Sequence, residues 1–213
     1  MSISTLIINP EDVLYKRIPD QPHLRAFLNT LGIEPRHPKV VEKAMKAARF
    51  DALMGRISRD VYYNAILKVH SVPEHANMRA GREALLADAL LARPNIKAIE
   101  VLNQLHAAGI RLALVINTEH SSSEIIQWLN HLGFIHTLWH QIVVSNEIGY
   151  MIPEPTIFEA IIEHTEGNVY LSRQAIPWLI ERGIINLVYG DDTSVRDAYN
   201  VYNIEQLIDL LVA

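Results

Sequence analysis

The chain is 213 residues long, with a formal net charge of -5, 49% hydrophobic and 20% charged residues, and no cysteine. This is the composition of an ordinary globular protein with core enough to fold without covalent staples, and it excludes disulfides, thiol catalysis and thiolate metal sites. No long basic run offers a nucleic-acid surface, no apolar run has the length of a membrane span, and the amino terminus reaches a polar turn after Ile8 without a basic leader, so a cytoplasmic protein is expected.

The first predicted element is a short buried strand over residues 5–8, running into the turn Asn9-Pro10-Glu11-Asp12 of "TLIINPEDVLY". A polar turn at the carboxyl end of a buried strand is where α/β proteins place their ligands. Residues 21–91 then read as helical throughout. "PHLRAFLNTLG" stops at Gly32, "HPKVVEKAMKAARFDALMG" ends near Gly55, Ser58 is placed to cap "RDVYYNAIL", and "EALLADALLA" is closed by Pro94. No strand signal interrupts them.

The pattern changes after Pro94. A helix, "NIKAIEVLNQLHAAG", precedes the strand "RLALVIN", and Ser121 to Ser123 are placed to cap the helix "SSSEIIQWLNHLG". The strands "QIVVSN", "NVYL" and "INLVYG" follow, separated by the helices "EPTIFEAIIEH" and "QAIPWLIERG", and "IEQLIDLLV" closes the chain. Strands alternating with helices of this length predict an α/β fold, a doubly wound parallel sheet, with "INLVYG" as its last strand. The expected organisation is a core of residues 1–15 and 93–213 with an inserted all-helical cap of residues 16–92.

One strand, a helical insertion and a βαβ series resemble the haloacid dehalogenase (HAD) superfamily of hydrolases with a helical cap. "LIINPEDVLY" is similar to that family's first loop, Asp-x-Asp-Gly-Val-Leu. "GIRLALVINTEH" is similar to its second motif, a strand ending in Ser or Thr followed by Asn. "IVVSNEIGYMIPEPTIFEAII" is similar to its third region, Gly-x-x-Lys-Pro-x-Pro-x-Ile-Phe. The resemblance implies a Rossmann-like core and a strand-end site. There a nucleophilic Asp, a second acid/base Asp, a Ser or Thr, a Lys and magnesium-binding acids handle a phosphoryl group.

Carried over position by position, the resemblance puts Asn9 at the nucleophile, Glu11 at the acid/base, Ile116 at the Ser/Thr and Ile152 at the Lys. An amide oxygen is a poor nucleophile and carries no charge for a metal. Two registers stand for the fourth motif. Ser172 follows Pro153 by 19 residues and Asp191 follows it by 38. The shorter spacing leaves sequence for the helix, strand and helix that the fold still needs, so the fourth motif is read as Ser172-Arg173. The other register, in "YGDDTSVRDA", supplies Asp191, Asp192 and Asp197.

The preferred register implies a lost magnesium site, because a hard cation wants several oxygens and usually a carboxylate. It also implies a pseudo-phosphatase that binds a small organic anion, a homodimer mate or another protein partner. The alternative is metal-independent acid/base chemistry on an anionic small molecule, using Glu11 and Arg173. Asn9 is a ligand-binding candidate or an ordinary turn residue, and Asn117 and Thr118 are ligand-binding candidates at a strand end where Ser121 to Ser123 otherwise simply cap the next helix. Arg173 reads as an anion clamp or a surface ion pair. His131, His136 and His140 match no zinc spacing, and Tyr62 and Tyr63 read as core or interface.

Overall fold

The computed structural model describes residues 3–162, 166–191 and 195–212. In chain order, β1 (Thr5–Ile8) and β2 (Tyr15–Arg17) lead into α1 (Pro22–Thr30), α2 (Pro38–Leu53), α3 (Arg59–Val69) and α4 (Met78–Ala89). The chain returns through β3 (Ala92–Pro94) to α5 (Ile96–Ala107), β4 (Arg111–Ile116), α6 (Ser122–His131), a short 3-10 turn and β5 (Trp139–Val144). It continues with α7 (Ser145–Ile148), α8 (Pro155–Glu159), β6 (Asn168–Ser172), α9 (Pro177–Glu181), β7 (Ile185–Tyr189), β8 (Tyr199–Val201) and α10 (Gln206–Leu211).

Six parallel strands form one sheet in the order β5-β4-β1-β6-β7-β8. The inner strands read as unbroken apolar runs because both of their faces are covered. Leu6 and Ile8 of β1 point to one side, packing with Val101, Leu105, Trp128 and Leu207. Ile7 points to the other, with Phe158, Tyr170 and Leu179. A separate cluster of Leu24, Leu28, Met45, Tyr63 and Leu67 holds the four-helix insertion together.

Caps fix the helix starts. The Ser58 side chain accepts from the Val61 N–H, as its position predicts. Ser121 and Glu124 form a reciprocal capping box at α6. Three expectations need correction. The insertion is not bounded by helix alone: β2 and β3 pair antiparallel, Tyr15 with Pro94 and Arg17 with Ala92, so a two-stranded ribbon straddles both predicted boundaries. "INLVYG" is not the last strand, since β8 pairs with β7 beyond it. The helix of "EPTIFEAIIEH" ends at Glu159.

Candidate site at the ends of the central strands

Asn9 follows β1 and is half-buried. Its N–H donates to the Leu171 carbonyl at 2.9 Å, and the register of Ile8 with Leu171 sets it beside Ser172. The two residues therefore cap the two central strands side by side. Asp191 lies past the end of β7, with β6 standing between it and β1. At roughly 4.8 Å per strand step, β7 runs about 10 Å from β1. Asp197 is exposed with a φ of 68°, and Asp192 lies outside the described residues.

Tyr170 is the site residue that sequence reasoning missed. It shares a sheet face with Ser172 and is fully buried. Burial pushes its hydroxyl up to about 12, against hydrogen bonding with the Ser172 and Asn9 side chains, which acts the other way. A phenol thus lies under the amide and the hydroxyl. The Ser172 Oγ also donates to the Gln174 carbonyl, closing the turn after β6. The Arg173 guanidinium donates to the Tyr189 carbonyl at the end of β7.

After Asn9 the backbone makes a tight turn with Asp12 at a φ of 58°, the Pro10 carbonyl accepting from Val13 and Leu14 at 3.2 and 2.8 Å. Glu11 projects from this turn half-exposed and meets Arg17 Nε at 3.4 Å. Arg17 also donates to the Ala89 carbonyl at 2.7 Å and lies 5.7 Å from the centre of the Trp128 ring.

The second-loop candidates are occupied within the protein. Asn117 Oδ1 accepts from the Ile152 N–H at 2.8 Å while its Nδ2 donates to the Ile152 carbonyl at 3.2 Å. Thr118 is buried. Its N–H donates to Ser145 Oγ at 3.0 Å, and its hydroxyl oxygen accepts from the His120 N–H at 3.2 Å. Ile116 is buried in the larger core cluster, and Ile152 packs against the smaller one. Among the described residues no three His, Asp or Glu side chains gather closely enough to hold a metal ion.

A polar contact between insertion and core had no sequence signal, because its members are about sixty positions apart. Arg59 Nη1 lies 2.6 Å from Glu124 Oε1 and 2.9 Å from His120 Nδ1. The Tyr63 hydroxyl donates to Glu119 at 3.3 Å. Burial opposes the charge on Glu124, yet donors from Ser121 and Arg59 outweigh it and hold the carboxyl below its usual range. His120 is buried, and that burial drives its pKa down. Among the described residues its Nε2 has no hydrogen-bond partner.

The fold has counterparts among solved structures. A 2-haloacid dehalogenase from Pseudomonas syringae pv. Tomato DC3000 superposes with a TM-score of 0.74 at 15% identity, over 98% of both chains. The chain has the haloacid dehalogenase-like fold. A HAD family enzyme from Bacteroides thetaiotaomicron aligns at a TM-score of 0.67 and 17% identity, over 91% of this chain and 98% of that one. The L-2-haloacid dehalogenase from Xanthobacter autotrophicus, whose structure carries covalently bound chloropropionic acid, aligns at 0.65 and 12% over 98% of each chain. Neither a protein-family model nor a curated protein sequence matches the chain. In this HAD-like chain Asn9 and Ser172 stand level at the ends of β1 and β6 with Tyr170 beneath, while β4 runs two residues past the end of β1 before Asn117.

Proposed function

We propose that this chain uses a HAD-like fold for binding or scaffolding and does not carry out metal-assisted phosphoryl transfer. The observation that carries the reading is the pairing of Asn9 with Ser172 at the ends of the two central strands. An amide offers neither a competent nucleophile nor charge for a cation. The donor set does not fit magnesium. Ser172 is turned to Gln174, Arg173 brings a fixed positive charge, and Glu11, the nearest carboxylate in sequence, is paired with Arg17.

The same contacts weigh against metal-independent acid/base chemistry through Glu11 and Arg173. Glu11 is half-exposed and Arg173 braces the end of β7. The test is steady-state turnover of para-nitrophenyl phosphate with and without millimolar magnesium, beside a thermal melt in the same buffers. No turnover and no metal-dependent midpoint shift are expected. Saturable, magnesium-dependent hydrolysis abolished by chelator would overturn the reading.

A further inference from the structure

A second feature of the surface lies in the insertion, away from the strand ends. A groove of about 1370 Å³ runs beside α2 and is closed by the start of α1 and by α3. Its apolar lining includes Leu24, Val41, Met45, Phe50, Tyr62 and Ile66. Phe50 remains 46% exposed, although α2 has an apolar side of its own to bury. In a chain of net charge -5, the groove is lined by six basic residues, Arg25, Arg36, Lys39, Lys43, Lys46 and Arg49, against three acidic ones, Asp20, Glu34 and Glu42. Among the described residues, Lys39, Lys43 and Lys46 have no ion-pair partner.

The groove is held open at one end. The Arg36 N–H donates to Nδ1 of the buried His70 at 3.0 Å, and the Arg36 guanidinium donates to Ser71 at 3.1 Å. The loop before α2 is thereby pinned to the end of α3, so an occupant need not order it.

We propose that this groove docks an acidic amphipathic helix of a partner protein. Size and charge select that occupant. Small-molecule pockets are about 300–1,000 Å³, and a single acyl chain fills only part of this one. A helix about 10–12 Å across and rising about 1.5 Å per residue fits for roughly ten residues beside α2, whose length is about 24 Å. Apolar anchors of such a helix meet Met45, Phe50, Tyr62 and Ile66, and its acidic flanks meet the lysines of α2, the helix-in-groove mode of recognition. Methionine at the centre adapts to different anchors. This inference does not rest on the state of the strand-end site, since an active enzyme would carry the same groove.

The experiment is fluorescence anisotropy with a labelled 16-residue helical peptide carrying Leu and Phe on one face and Glu on the other. A second peptide has every Glu replaced by Lys. The acidic peptide should bind at least tenfold tighter than the basic one and weaken as salt rises. The exposed double variant K43E/K46E should lose at least tenfold in affinity while melting like the wild type. The Phe50→Glu variant should lose binding as well. Equal binding of both peptides, binding unaltered by K43E/K46E, or no binding would overturn the proposal. So would occupancy by palmitate with exclusion of the peptide, or a dimer in sedimentation that K43E/K46E dissociates, because the groove would then serve a lipid or a second copy.

Discussion

Asn117 commits both ends of its amide to the backbone of Ile152. It joins the loop after β4 to the segment that the resemblance assigns to the third motif, so its job is positional. Asn117→Ala strands an N–H and a carbonyl at a half-buried point and should destabilise the protein by about 1–3 kcal/mol, read as a lower urea midpoint at unchanged slope. Asn117→Asp keeps the acceptor, loses the donor, and should fall between the two. Asn9 behaves differently. Asn9→Asp introduces a carboxylate beside Ser172 and above the Tyr170 phenol, with Ile116 and Ile152 still offering neither hydroxyl nor cation. It should yield no hydrolysis of para-nitrophenyl phosphate, and robust metal-dependent activity from that single change would show that the rest of the site is intact.

Gly55, just past α2, shows how the insertion sits on the core. Its φ is +67°, and a Cβ there would stand 2.1 Å from the Asn146 carbonyl oxygen, in α7. Gly55→Ala meets left-handed backbone and a backbone clash together, so it should cost more than about 1 kcal/mol. It should also expose the Arg59–Glu124 contact to solvent, which hydrogen exchange at the start of α6 would detect as faster exchange. That seat was not legible beforehand, although a glycine ending the helix was. The inner strands were legible because covering both faces of a parallel sheet leaves an unbroken apolar run. The helix starts at Ser58 and Ser121 were legible because caps are local chemistry. The ribbon of β2 and β3 was not: three residues carry no periodicity, and each strand's partner lies across the whole insertion. Asn9 beside Ser172 came from counting the elements the fold still required, and β8 escaped that count. Tyr170 lies inside the strand read as "NVYL" and is core, and only the strand register brings its hydroxyl under Asn9.

The molecule as a whole should be sensitive to acid, because three perturbed groups act in the same direction. His120 and His70 are both driven below the usual histidine range, first by burial and then by neighbouring arginines, though Glu119 pulls His120 the other way. Each is neutral in the folded state and takes up a proton more readily when unfolded. Their contribution to stability is therefore complete above the unfolded value of about 6.5 and is lost as pH falls through the folded pKa. Glu124 is depressed as well, held charged by Ser121 and Arg59 against its burial. Its contribution is present above about 4.3 and is lost as pH falls further. Urea midpoints should be flat near pH 7.5, decline as pH drops below about 6.5, and decline again below about 4.3. His120→Gln preserves a side chain able to accept from Arg59 but has no proton to gain in this range. It should flatten the first decline without removing it, since His70 still titrates under the loop that carries Arg36. A variant whose first decline matches the wild type would place the acid sensitivity outside the contact between insertion and core.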